Sequence, residues 1–245
     1  MFDLRKREDI WMRTKVKIKQ LLDKFVIFCG IRRPGAKHRH DWVASGHYDS
    51  DHHDKNRKFQ IDFLKLQGLS PDNKLLELGC GTLRGGIPII AYLNTGNYYG
   101  IDVRRGVLSE ARKELIENGL EHKNPTIILF KEAEKQIQIK FDVIWSFQVL
   151  LHMEQSKLEE ALEYSAKHMA PNGFFYATVL VGDYKEDEWQ GFPVISRPLE
   201  YYKSEAGKFG LDVSELGSLE RLGYGKYVPY EKPSSTIMLE LKHGN

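Results

Sequence analysis

The clearest chemistry in the sequence lies in two glycines and two acids. The run Leu75-Leu76-Glu77-Leu78-Gly79-Cys80-Gly81-Thr82-Leu83-Arg84-Gly85-Gly86 sets Gly79 and Gly81 directly behind a short apolar stretch. Glycines there let the backbone turn tightly and let a ligand touch it with no Cβ in the way. A second apolar stretch ends Tyr98-Tyr99-Gly100-Ile101-Asp102, with Asp102 lying 21 residues past Gly81. A carboxylate at that distance, ending the next strand, can accept hydrogen bonds from two ribose hydroxyls. The pairing implies a ligand that carries a nucleoside. A dinucleotide fingerprint is G-x-G-x-x-G, with a pyrophosphate on the helix that follows. Here the third glycine falls at 85, one position late, which disfavours a nicotinamide-dependent dehydrogenase. Glu77 also fits as a cap for the following helix.

These residues need elements to hold them. Phe59, Phe63 and Leu66 make a helical stripe that Gly68 is placed to end. Ser70-Pro71-Asp72-Asn73 reads as a turn. Strands are expected at Lys74–Leu78, Tyr98–Asp102, Thr126–Phe130, Phe141–Trp145, Phe174–Leu180 and Thr236–Leu241, with Pro171-Asn172-Gly173 as a turn. Helices are expected at Ile87–Leu93, at Val107–Asn118 stopped by Gly119, and along Leu158, Leu162 and Met169. Pro198 opens one more helix, which Gly210 closes. Strands alternating with helices mean an α/β fold, a parallel sheet covered on both faces. Ligands in such a sheet sit beyond the carboxyl ends of the strands.

Composition narrows the function classes. The chain has 245 residues, 41% hydrophobic and 29% charged, with a net charge of +2. That excludes a strongly basic nucleic-acid coat, and no nucleic-acid partner is expected. Two cysteines, Cys29 and Cys80, supply neither a disulfide framework nor an all-cysteine zinc site. The expected compartment is reducing and cytoplasmic. No apolar run reaches the roughly 18–20 residues of a membrane span, and the start reads as no signal peptide.

Three segments follow. Residues 1–35 hold ten basic residues against four acidic ones, with Trp11, Leu21, Leu22, Phe25 and Phe28 at roughly helical spacing. A basic amphipathic helix of this kind docks on its own domain, on a second subunit as a homodimer, or peripherally on an anionic membrane. Residues 36–54 carry five of the nine histidines, interleaved with aspartates, and read as a lid or linker. Histidine and carboxylate are metal-ligand types, yet the spacing matches no metal motif, so no metal is expected. Residues 55–245 form the main domain.

Glu77-x-Gly79-x-Gly81 followed by an acid ending strand two resembles the class I S-adenosylmethionine-dependent methyltransferases. Phe141-Asp142-Val143-Ile144 is similar to the family's fourth strand, and Pro171-Asn172-Gly173-Phe174 to its entry into the fifth. The resemblance covers about residues 55–241. The extended form, with Leu83-Arg84-Gly85-Gly86 and Tyr98-Tyr99-Gly100-Ile101-Asp102, is similar to bacterial methyltransferases of sugars, polysaccharides or small molecules. The resemblance implies a Rossmann-like, seven-stranded, mostly parallel sheet with its last strand antiparallel and an N-terminal helical extension. It implies S-adenosylmethionine as cofactor. On matching positions, Gly79, Cys80 and Gly81 hold the amino-acid part through backbone groups, and Glu77 orients the loop or meets the ammonium through water. Asp102 binds the ribose, with Val103 beside the adenine. Glu132 and Ala133 fall where the family meets the adenine amino group, with Glu134 as the alternative acid. Phe147 and Gln148 border the sulfonium, and Arg84 reaches the cofactor carboxylate or pairs at the surface.

Methyl transfer is an in-line displacement, so alignment is the enzyme's main task. A hydroxyl acceptor also needs a base, and an amine needs only to be neutral. His152, just beyond strand four, is the first candidate base, since histidine tunes readily to a near-neutral pKa. Positioning or packing is the other role open to it. Asp183, after strand five, is the second candidate. His47 and Tyr48 are placed to close over the cofactor from the lid. Trp189 and Tyr201, with Phe192 and Tyr202, can stack on a sugar or aromatic acceptor, or pack the last helix. The expected reaction is methylation of a small-molecule or glycan acceptor, at oxygen. The alternatives are nitrogen methylation of an amino sugar or small amine, and a noncatalytic binding protein that kept the fold.

Overall fold

The computed structural model describes residues 50–189, 192–226 and 235–244. The basic segment 1–35 and the lid as far as residue 49, His47 and Tyr48 included, lie outside these. Helix α1 (Ser50–Leu66) takes residues 50–54 of the expected lid into its first turns. It ends as expected at Gly68, whose φ of +92° suits glycine alone. The turn after it closes through Asn73 N–H to the Ser70 carbonyl at 3.2 Å.

Apolar runs then alternate with amphipathic ones. In order come β1 (Leu75–Leu78), α2 (Gly86–Tyr92), β2 (Tyr98–Asp102), α3 (Arg105–Glu117), β3 (Thr126–Leu129), α4 (Phe130–Gln136) and β4 (Phe141–Ser146). After them follow α5 (Gln155–His168), β5 (Met169–Leu180), β6 (Lys185–Trp189), β7 (Phe192–Ser196), α6 (Leu199–Gly207), β8 (Leu211–Ser218) and β9 (Thr236–His243). Seven strands form one sheet in the order β3-β2-β1-β4-β5-β9-β8. Strands β1 to β5 run parallel, and β9 is antiparallel to both β5 and β8. The doubly covered sheet with its antiparallel last strand is thus as expected.

Two cores sit on opposite faces. Leu75, Tyr98, Trp145 and Tyr176 pack against α1, α2 and α3. Leu76, Ile101, Ile144 and Phe175 pack against α4, α5 and α6. Neighbouring strand residues point to opposite faces, and both faces are covered, which is why the parallel strands are largely apolar along their length.

The expected turn at Pro171-Asn172-Gly173 is instead a bulge inside β5. Met169 pairs with Phe141, and the register slips before Phe174 meets Val143. A Cβ at Gly173 would lie 2.8 Å from the Phe141 carbonyl oxygen, so the backbone passes there as glycine. The hairpin β6–β7 stands outside the main sheet. Among the described residues, no helix is long and apolar enough to cross a membrane, and no group of three or more His, Cys, Asp or Glu side chains is placed to hold a metal ion.

Candidate active site

The parallel register lays the end of β1 beside the end of β2, with Leu78 opposite Ile101. The chain then turns at Gly79 (φ +79°) and Gly81 (φ +56°), a left-handed backbone that favours glycine. The N–H groups of Gly79 and Cys80 both donate to the Ile101 carbonyl, at 2.8 and 3.0 Å. The Gly81 N–H donates to Asp102 Oδ2 at 3.2 Å. Loop and acid are therefore one unit. A Cβ on Gly79 would also lie 2.6 Å from the Val149 methyls, so the loop after β4 closes on the glycine turn.

Glycines 85 and 86 serve packing. A Cβ on Gly85 would meet Gln60 Oε1 at 2.1 Å, and one on Gly86 would meet the Tyr98 hydroxyl at 2.5 Å. The Gly86 gap admits a buried pair, in which the Tyr98 hydroxyl donates to Glu77 Oε2. Burial pushes the Glu77 carboxyl up to about 8; the Tyr98 hydrogen bond pulls it back and the Asp102 charge adds to the rise. Burial likewise raises the Cys80 thiol well above its ordinary value, helped by the Glu77 and Asp102 charges. A buried thiol held this high is a poor nucleophile.

Asp102 is buried at the end of β2. Its Oδ1 accepts the backbone N–H of Arg104 at 2.9 Å and the Arg104 Nε at 3.3 Å. Val103 beside it is 74% exposed, an open apolar surface next to the carboxylate. Glu132, in the first turn of α4, pairs with Arg105 at 3.3 Å, close in sequence to Asp102. Glu134 faces away to Lys167 at 3.0 Å, and Ala133 is buried in the core. Of the two acids, Glu132 is the one on the Asp102 side. The Arg84 carbonyl accepts from Arg57 Nε at 3.0 Å, tying the loop to α1, while the Arg84 side chain is half-buried.

After β4 the chain turns at Gln148 with φ +59°, a conformation strained for a side-chain-bearing residue. Its N–H donates to Thr178 Oγ1 at 2.6 Å. The Phe147 ring is sent inward, stacked on Trp145 at 5.5 Å and packed on Phe59 and Tyr224. His152 follows in a short 3-10 turn (Leu150–His152), its Nδ1 held by the Pro193 carbonyl at 2.7 Å. A carbonyl only accepts, so Nδ1 carries the proton and Nε2 the lone pair. Burial lowers the pKa of His152; the Pro193 bond opposes this and the Arg104 cation adds to it.

The remaining expected residues are spread around this centre. Asp183 lies on the exposed bend between β5 and β6, apart from the bonds that hold His152. Trp189 pairs through its backbone with Phe192 at the hairpin end. Tyr201 is half-buried on α6, edge-to-face with Tyr202 and 5.2 Å below the Arg197 guanidinium. Tyr98, Arg104 and Thr178 escaped the sequence reading. For Tyr98 a signal existed: a tyrosine two residues before Gly100 on the same strand face, where the missing Cβ also clears Cys80.

A parallel α/β sheet with a glycine turn and a buried carboxylate at the carboxyl ends of its strands is an arrangement suited to a nucleoside-bearing ligand. Residues 76–175 match the family model described as a methyltransferase domain. That stretch runs from β1 into β5 and includes the glycine turn and Asp102, and the chain has the class I methyltransferase fold. Among solved structures it is similar to an S-adenosylmethionine-dependent methyltransferase from Clostridium acetobutylicum ATCC 824. The two share 15% identity and a TM-score of 0.61, over 85% of this chain and 98% of that one. It is similar to magnesium protoporphyrin IX methyltransferase from Synechocystis PCC 6803, solved with bound S-adenosylmethionine. There identity is 15% and the TM-score 0.60, over 91% and 97% of the chains. A glycopeptide N-methyltransferase complexed with S-adenosyl-L-methionine matches at 11% identity and a TM-score of 0.56, over 76% and 87%.

Proposed function

We propose that the protein methylates a small-molecule or glycan acceptor at oxygen, with S-adenosylmethionine as cofactor. The observation that carries the reading is Asp102, a buried carboxylate at the end of β2 bonded to the Gly81 N–H of the glycine turn. The residues fit the cofactor: Gly79 and Gly81 have no Cβ to block the turn, and Asp102 offers acceptor oxygens. When bound, S-adenosylmethionine supplies a methyl group on a sulfonium sulfur.

The chain's own residues then bind, orient and hold protons. Gly79, Cys80 and Gly81 present backbone groups to the amino-acid part, with Arg84 for its carboxylate. Asp102 takes the ribose hydroxyls, Val103 covers the adenine, and Glu132 with Ala133 frames its edge. Glu77, protonated beneath the loop, fixes the turn from below. Gln148 and the Phe147 backbone border the methyl. His152 accepts the acceptor's hydroxyl proton at Nε2, since the Pro193 carbonyl fixes that tautomer and burial keeps the ring neutral. Asp183 is the second candidate for that proton. Trp189 and Tyr201, with His47 and Tyr48 from the N-terminal side, shape the acceptor space. Residues 1–33 serve as a contact for a second copy or an anionic membrane surface. A nitrogen acceptor is the second reading, favoured by the likeness to the glycopeptide N-methyltransferase.

The test is thermal unfolding with S-adenosylhomocysteine, S-adenosylmethionine and NAD, on wild type and Asp102→Ala. A ligand at 100 times its Kd adds about 2.7 kcal/mol, a rise of roughly 5–10 °C. The rise is expected with both adenosyl ligands, not with NAD, and is lost in Asp102→Ala. A rise with NAD alone would sink the reading. A pH–rate profile then separates the acceptors: with an oxygen acceptor, His152→Gln drops kcat at least 100-fold, whereas an amine acceptor leaves kcat nearly unchanged.

A further inference from the structure

Both oxygens of Asp102 are engaged. Oδ2 accepts the Gly81 N–H, and Oδ1 accepts Arg104 through its backbone N–H and its Nε. The Arg104 guanidinium lies 5.3 Å from the centre of the Phe192 ring, at the start of β7. That ring lies 6.1 Å from the His152 imidazole, and the next residue, Pro193, holds His152 Nδ1. The end of β2, the β6–β7 hairpin and the turn after β4 are thereby joined by one unbroken chain of contacts. The hairpin is outside the main sheet; the residue after β7, Arg197, ties it to the end of β5 through its N–H to the Leu180 carbonyl at 3.2 Å, at the opposite end of β7 from Phe192.

We infer that Arg104 is a positioning residue that links Asp102 to His152 through Phe192, so that a ribose seated on Asp102 is felt at the candidate base. The inference rests on the ribose reading of Asp102 given above. A carboxylate oxygen has few lone-pair sites, and ribose hydroxyls compete for those that hold the Arg104 Nε. A guanidinium released from one acceptor stays favourably on an aromatic face. Its charge is then less neutralised by Asp102, and more of it reaches His152. The same field already acts there, since the Arg104 cation is one cause of the depressed His152 pKa. The other charged groups near His152 are Glu154, exposed two residues on, Glu188, exposed and opposite Pro193 in register on β6, and Arg197, whose Nη2 donates to the Met153 carbonyl at 2.7 Å. Of these and Arg104, it is Arg104 that bonds to Asp102.

The experiment follows the His152 imidazole Cε1–H by NMR titration, assigned with His152→Gln, in full-length wild type, Arg104→Ala and Phe192→Leu. Each is titrated free and saturated with S-adenosylhomocysteine, with saturation set by calorimetry. In wild type the bound form is expected to titrate roughly half a pH unit lower than the free form. Arg104→Ala abolishes that difference. Phe192→Leu abolishes it too, while its Kd for S-adenosylhomocysteine stays within about twofold. A difference that persists in both variants overturns the inference, as does its absence in wild type when calorimetry shows the ligand bound. No binding in wild type overturns the cofactor reading, and the inference with it.

Discussion

Glu77 shows how one side chain can carry a pH dependence for the whole protein. Its folded pKa is about 8 against an ordinary 4.5. Between those values the folded state keeps a proton that the unfolded chain has released, so stability falls as pH rises from about 4.5 to about 8. We expect the ligand-free Tm to decline across that window, and Glu77→Gln to flatten the decline, as read by calorimetric melts at stepped pH. His152 runs the other way. Its folded pKa is lowered, so the neutral base persists below the ordinary 6.5, and the methylation rate should fall only as pH drops through that depressed value. A rate that halves at or above pH 6.5 would remove His152 as the base. Glu77, Gly79, Gly81 and Asp102 were legible because spacing along one chain marks them. Tyr98 and Arg104 were not, because their partners lie across a strand register or in a hairpin whose position no local spacing encodes.

Helix α1 is tied to the sheet by a buried polar chain. Trp145 Nε1 donates to Gln60 Oε1 at 3.0 Å, Gln60 Nε2 to Asn56 Oδ1 at 2.6 Å, and Asn56 Nδ2 to the Tyr224 hydroxyl at 2.7 Å. Each link is buried, so losing a member strands a polar group away from water. Gln60→Ala should cost about 1–3 kcal/mol by urea unfolding. Since Gln60 also fills the space left by Gly85, the adenosyl-ligand Kd should weaken in the same variant. An unchanged midpoint would show that the chain adds nothing to the docking of α1. The apolar strands and most of the α1 stripe were readable from period alone: Phe59 and Phe63 are buried, whereas Leu66 stands 82% exposed. The hairpin was not: Lys185-Glu186-Asp187-Glu188 has the composition of a solvated loop, and becomes a strand only through its pairing with β7. Strand β8 begins with the alternation Leu211, Val213 but loses it at Glu215, beside a register slip against β9. The Pro-Asn-Gly bulge misled because those residues usually mark turns, while here Gly173 lets a strand squeeze past the Phe141 carbonyl.

Across the molecule, every group assigned to the cofactor falls between Glu77 and Gln148, at the carboxyl ends of β1 to β4. Deleting residues 1–33 should therefore leave the Kd for S-adenosylhomocysteine within about twofold while changing oligomer mass or liposome partition. Unchanged mass and partition would remove the proposed contact role of that segment. The strand order carries a separate consequence. β9 is the last described strand in chain order, yet it sits inside the sheet, between β5 and β8. A ribosome making this chain has completed β1 to β5 and the six described helices before β9 exists. Until then β5 offers an open edge, with Phe175, Ala177 and Val179 along it, and among the described strands β8 has no partner. Such an edge is a template for pairing with another nascent chain. That exposure ends when Thr236–His243 slides in as the closing wedge.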